Sequence, residues 1–179
     1  YVNEIRENLK LQNWKLIAAV FAVIAILDQG TKIYFEKALL YGVPTPVWGD
    51  FFQLTLHYNP GIAFGLKLFE NHTLFVIFTI LAMIFILIYL INLKIEGKLM
   101  QIVIGLVMGG AFGNLLDRAL YGQVVDFLDF EFFDIPSFDL FVFQFGGMNR
   151  WPIFNIADSA VMCGMGIILI LMNRQKEKV

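Results

Sequence analysis

Thiols, imidazoles and hydroxyls are scarce in this chain, and each scarcity closes off a class of chemistry. A single cysteine, Cys163, cannot form an intramolecular disulfide. It falls inside an apolar stretch, where a small buried packing residue is expected. His57 and His72 stand apart, with no His-Glu-x-x-His and no cysteine pair, so a zinc site lacks ligands. Serine occurs only at Ser137 and Ser159, neither inside Gly-x-Ser-x-Gly. A Ser159–Lys32 dyad is the one nucleophilic arrangement left open. Charge is also thin: 16% of residues are charged, the net charge is −2, and no basic patch points to nucleic acid.

What the chain has instead is apolar surface. Fifty-nine per cent of its 179 residues are hydrophobic and the mean hydropathy is +0.72, against roughly 45–50% apolar in soluble domains. This is the composition of a membrane protein. Four apolar stretches stand out, giving expected spans at about 14–35, 73–93, 99–117 and 156–173, with outer segments at about 36–72 and 118–155. The stretch from Leu74 to Leu93 is long enough to cross alone. The first and fourth reach that length only with their Asp28 and Asp158 ends included, which places both carboxylates near one membrane boundary. The first reads as an uncleaved anchor, because Asp28 and Lys32 stand where a signal cleavage site would need small residues.

Orientation follows from Lys and Arg. Arg6, Lys10, Lys15, Lys94, Lys98, Arg174, Lys176 and Lys178 lie at the termini and in the connection between the second and third stretches, while Lys32, Lys37, Lys67, Arg118 and Arg150 lie on the other side. That bias puts both termini inside. The aspartates, 28, 50, 117, 126, 129, 134, 139 and 158, then all fall outside or at outer helix ends. In the first outer segment, Phe51 to Tyr58 alternates as a short strand. We expect a small sheet on the outer surface there, followed by a short interfacial helix. In the second, Phe127, Phe130, Phe132, Phe133, Phe138, Phe141, Phe143, Phe145 and Trp151 interleave with Asp129, Glu131, Asp134 and Asp139. Aromatics favour the headgroup layer, so a hairpin lying on the membrane over the helix ends is expected, or a flap over a lipid-facing site.

Paired carboxylates are the catalytic chemistry best represented. Asp126 sits in Gly122-Gln-Val-Val-Asp-Phe127 and Asp158 in Phe154-Asn-Ile-Ala-Asp-Ser159. Each costs roughly 2.5–3.5 kcal/mol at the centre of a span, less near its ends. Asn114 and Asp117 share a helix face, and Asn155 and Asp158 repeat that spacing. Asn155 also reads as an N-cap, and Asp117 beside Arg118 as an interfacial ion pair. Gly109, Gly110 and Gly113 read as close helix packing. Two carboxyls brought close cannot both ionise easily, so one holds a proton while the other acts as base. A helix N-terminus favours negative charge, which points to Asp158 as the ionised partner.

Five blocks together resemble the lipoprotein signal peptidases, the type II bacterial enzymes: Asp28-Gln-Gly-Thr-Lys32, Asn59-Pro-Gly-Ile-Ala-Phe64, Gly113-Asn-Leu-Leu-Asp-Arg118, Val124-Val-Asp-Phe127 and Phe154-Asn-Ile-Ala-Asp158. The resemblance implies an all-α membrane protein with four transmembrane helices, a small extracytoplasmic β-sheet and an interfacial helix. It implies a bacterial inner-membrane aspartic peptidase that cuts prolipoproteins before a diacylglyceryl-modified cysteine, without metal or cofactor. Asp126 and Asp158 would be the catalytic pair. Asp28, Lys32, Asn59, Gly61, Asn114, Asp117, Arg118, Asn155 and Ala157 would be the supporting polar residues. Membrane lipids and globomycin-like peptide inhibitors are the further partners implied. The gap between Asp126 and Asp158 is longer than is usual in the family, and the excess is the aromatic-acidic segment. A different membrane aspartic protease would carry Gly-x-Gly-Asp, which is absent here. A small transporter or proton relay would spread its carboxylates through the membrane depth, and a structural subunit leaves the two Asn–Asp repeats without a purpose.

Overall fold

Four long helices carry the chain, and short strands join them at one end. The computed structural model describes residues 14–60, 62–63, 66–67, 72–92, 97–132, 138–140, 143–145 and 149–176. The helices are α1 (Trp14–Ala38), α2 (His72–Asn92), α3 (Lys98–Tyr121) and α4 (Ile156–Lys176). Strands β1 (Thr45–Trp48), β2 (Phe52–Asn59) and β5 (Val124–Phe130) form an antiparallel sheet in the order β1-β2-β5. Two hairpins are separate: β3 (Ile62–Ala63) with β4 (Leu66–Lys67), and β6 (Phe138–Leu140) with β7 (Phe143–Phe145). By length and hydropathy, α1 and α3 are able to cross a membrane; α2 and α4 contain shorter apolar stretches, Thr79–Tyr89 and Ile156–Leu171.

Helix α3 is the hub, packed against α1, α2 and α4. Its glycines make this possible, because each faces a neighbour that a Cβ would strike. Gly109 lies against Phe21 and Ile24 of α1, Gly110 against Ala157 and Val161 of α4, and Gly113 against the Asp28 carboxylate. Close backbone approach through small residues is the usual packing device of membrane helices. Below this polar end, Ile17, Met100, Val103, Ile104, Val107 and Ile168 form the buried core. At the polar end itself Gly122 takes a left-handed conformation (φ 75°) and donates its N–H to the Arg118 carbonyl at 3.0 Å, closing α3. Two residues later β5 begins.

Several expectations change. Helices α1 and α3 run past residues 35 and 117, so Arg118 sits on a helix rather than in an outer segment. The sheet draws its third strand from the second outer segment. Where a short interfacial helix was expected, the described residues form the β3–β4 hairpin; Pro60 and Gly65 in the sequence disfavour a helix there. Cys163 is exposed rather than buried. The inward face of α4 is the stripe Ala157, Ala160, Gly164 and Ile168, and Cys163 falls off it beside exposed Met162. Within the second outer segment, where a hairpin over the helix ends or a flap was expected, β6 and β7 pair as a hairpin; the rest of residues 133–148 lies outside the described ones.

Candidate active site

Strand β5 is buried at Val124, Val125, Asp126 and Phe127. Phe127 is anchored on the Phe35 ring of α1, with centroids 4.5 Å apart, so β5 is tied to the bundle by an aromatic side chain whose burial contributes about 1.5–3 kcal/mol. Asp126, 1% exposed, sits beside that anchor. Its register partner on β2 is His57, and Asn59 lies two residues further along the same face. Asn59 Nδ2 donates to Asp126 Oδ2 at 3.1 Å, and Asn155 Nδ2 donates to Asp126 Oδ1 at 2.7 Å.

Asn155 is both the cap and the link. Its Oδ1 accepts the Asp158 N–H at 3.0 Å, and Asp158 Oδ2 accepts the Asn155 N–H at 3.3 Å. That reciprocal pair is a capping box built from Asn and Asp, opening α4. The Asn155 amide also reaches Asn114 Oδ1 at 3.0 Å, while Asn114 Nδ2 donates to Asp158 Oδ1 at 2.7 Å. Two asparagines therefore join the two carboxylates. The donors that Asn59, Asn114 and Asn155 offer these two carboxyls are neutral amides. Burial pushes the Asp126 carboxyl up from 3.8 to about 7, and the charge of Asp158 adds to it; bonds from Asn59 and Asn155 and the charge of Lys32 pull part of the way back.

A second polar group lies next to the first. Lys32, 3% exposed, places its ammonium 2.8 Å from Asp28 Oδ2, 2.8 Å from Asp117 Oδ2 and 2.9 Å from Asn114 Oδ1. Asp28 Oδ1 accepts the Ala157 N–H at 2.9 Å, near the start of α4. Asp117 Oδ2 accepts the Val125 N–H at 3.2 Å, tying α3 to β5. Gln29 Nε2 completes the cluster on Asp117 at 2.8 Å. Lys32 is thus committed to carboxylates, and Ser159 Oγ donates to the Asn155 carbonyl at 2.9 Å, so the Ser159–Lys32 dyad is ruled out. Asp117 takes Lys32 as its cation, and Arg118 lies within electrostatic reach of Asp158, Asp126 and Asp117.

Asp28, Lys32, Asn59, Asn114, Asp117, Arg118, Asp126, Asn155, Ala157 and Asp158 thus converge on one place, where three helices meet the sheet. Gly61 lies outside the described residues. The family model described as Signal peptidase (SPase) II matches residues 20–174. The chain belongs to the signal peptidase II family. It is 39% identical to a lipoprotein signal peptidase of Brevibacillus brevis, covering 84% of this chain and 90% of that one. The Halothermothrix orenii lipoprotein signal peptidase is 35% identical, covering 92% and 99%. A solved bacterial membrane enzyme superposes with a TM-score of 0.73 at 32% identity, covering 93% of each chain. A second solved bacterial membrane enzyme gives 0.69 at 31%, covering 90% of this chain and 94% of that one. The chain is therefore a member of a protease family of bacterial membranes.

Three participants lay outside sequence reasoning. Gln29 was visible only as part of its motif. Asp129 and Arg150 read as surface charges, although Asp129 follows Val125 and Phe127 on the inward side of the alternation, a position where a charge needs a partner.

Proposed function

We propose that the chain is an aspartic endopeptidase that removes the signal peptide of prolipoproteins just before a diacylglyceryl-modified cysteine. The observation that carries this is a buried Asp126, raised to about 7, linked through Asn114 and Asn155 to Asp158 with amide donors on both carboxyls. A proton is held on Asp126 near neutral pH, and Asp158, at a helix N-terminus, is the base. Asp158 takes a proton from water as the oxygen attacks the scissile carbonyl carbon. Asp126 gives its proton to the carbonyl oxygen. Collapse of the tetrahedral intermediate breaks the C–N bond as Asp158 gives the proton it gathered to the amine nitrogen and one hydroxyl of the intermediate returns its proton to Asp126, which restores the pair and releases a carboxylic acid. Asn59, Asn114 and Asn155 keep the pair in place, so little reorganisation is needed during reaction.

In this reading all four helices cross the bacterial inner membrane with both termini cytoplasmic and the site at the outer face. The substrate's acyl chains stay among lipids while its peptide bond meets the carboxylates. Globomycin-like peptides compete for the same place. The test is cleavage of a diacylglyceryl-modified prolipoprotein by folded wild type, Asp126→Asn and Asp158→Asn. Each substitution removes an acid or base at nearly constant size, so each is expected to cost about 10²–10⁴-fold or more in kcat. A mutant that keeps most of its activity refutes the pair, and a folded wild type that never cleaves refutes the peptidase.

A further inference from the structure

Asp129 is a buried carboxylate, 4% exposed, that the reaction does not use. It is held by Thr55 Oγ1 of β2 at 2.7 Å and by Arg150 Nε at 2.7 Å. The guanidinium makes three more contacts: Nη2 to the Asp129 carbonyl at 3.2 Å, Nη1 to the Asp50 carbonyl at 2.8 Å, and Nη1 to Glu131 Oε2 at 2.8 Å. Arg150 therefore grips the end of β5, the β1–β2 turn and the first residue beyond β5. Asp129 and Arg150 are 21 positions apart in sequence, so the aromatic-acidic excursion leaves and returns at one point.

From that point the chain runs back along β5. Trp151 donates its N–H to the Phe130 carbonyl at 2.8 Å, and Phe154 donates to Leu128 at 3.0 Å. The Phe154 carbonyl accepts from Leu128 at 2.8 Å and Phe127 at 3.1 Å. Asn155 comes next, its amide on the Val125 carbonyl at 3.2 Å and on Asp126 Oδ1. Pro152 brings no N–H to this ladder, so few backbone bonds fix its register. A slip of one residue is a displacement of about 3.3 Å. That would break the Asn155 bonds to Asp126 and move the cap of α4, and with it Asp158.

We propose that Arg150 and Asp129 form a register clasp, a pair of positioning residues that set Asn155 and the start of α4 against Asp126. This rests on the reading of Asp126 and Asp158 as the reacting pair. The fork of Arg150 is needed because it bonds several acceptors in fixed directions, which a lysine ammonium does not. Neither residue contacts the carboxylate pair itself; both act through the segment of residues 150–155, which bonds to β5 at Phe154.

The experiment compares full-length wild type, Arg150→Met, Arg150→Lys and Asp129→Asn in detergent, reading kcat and KM on a diacylglyceryl prolipopeptide and amide exchange at Leu128 and Phe154. We expect Arg150→Met to lose on the order of 10²-fold in kcat, the scale of a small misplacement at a reacting centre. KM should stay near wild type, and protection at Leu128 and Phe154 should fall while the α3 amides remain protected. Arg150→Lys should retain an intermediate kcat. If Arg150→Met does not fold, Asp129→Asn tests the same clasp, with a smaller loss in the same direction. Wild-type kcat and exchange in the folded variants overturn the clasp, as does a rise in KM alone, which would make Arg150 a substrate contact. A wild type that never cleaves refutes the peptidase and leaves the exchange comparison still able to decide the clasp.

Discussion

Two pairs of aspartates lie side by side in this protein and are treated in opposite ways. Asp28 and Asp117 share one ammonium at 2.8 Å from each. Asp126 and Asp158 share two asparagines and receive amide N–H bonds. The residue type and the near-complete burial of Asp28, Asp117 and Asp126 are alike; the partner differs. A shared cation ties two carboxylates from different helices together and makes them structural. Neutral donors orient a carboxyl without supplying an opposite charge, which leaves Asp126 able to hold a proton near neutrality. Asn114 touches both groups, accepting from Lys32 and donating to Asp158, so the structural pair and the pair proposed to react share one side chain.

The sharpest way to break this contrast is to remove the cation. Lys32→Met leaves two buried carboxylates without their ammonium and is expected to cost about 3–5 kcal/mol, read as thermal unfolding in detergent. Asp126→Asn should leave stability near wild type at pH 8 or raise it, even with the large loss of kcat expected above. Equal losses in the two variants would erase the distinction.

Crowding the structural pair gives a smaller effect. Gly113→Ala directs a methyl at the Asp28 carboxylate and is expected to destabilise by about 1–3 kcal/mol, seen as a lower unfolding temperature and a reduced folded fraction on size exclusion. An unchanged unfolding temperature would contradict the packing role.

Proton occupancy sharpens the other side. With the folded value raised from 3.8 to about 7, the folded state binds more protons than the unfolded one between those limits. The contribution of Asp126 to stability is therefore full below 3.8 and is lost as pH rises through about 7. Turnover needs one proton on the pair, so kcat should decline above about pH 7 by roughly tenfold per unit. Asn59→Ala removes a bond that favours the charged form, and should move that limb to higher pH. The limb belongs to the pair rather than to one residue. A flat pH–rate profile across neutrality would contradict it.

Shortening the chain between residues 133 and 148 has the smallest expected effect. Substrate affinity or preference should change while kcat holds, because the excursion closes on itself at Arg150. Undiminished handling of every lipoprotein tested would refute this.

Much of this was legible before the structure. The four helices and the convergence of motif residues follow from apolar run length and from carboxylates that burial would otherwise penalise. The Asn155 cap was legible because a capping residue needs only its local chain. The partition of aspartates into two pairs was not: Asp28 and Lys32 are four apart on α1, but the reach of Lys32 to Asp117 on α3 is geometry across helices, which no spacing encodes. The third strand was missed because aromatic spacing in β5 reads equally as a membrane-surface segment. The β3–β4 hairpin was missed because a four-residue stretch carries too little periodicity to separate a turn of helix from a strand.

Asp126 and Asp158 ride on elements of different kinds, one on strand β5 and one on helix α4, and Asn155 bridges the two. In the function proposed above, the site is complete only where the start of α4 stands against β5, because α4 brings Asp158 and the residue just before the helix is Asn155. A chain that lacks α4 keeps Asp126 but has neither its partner nor the amide that links them.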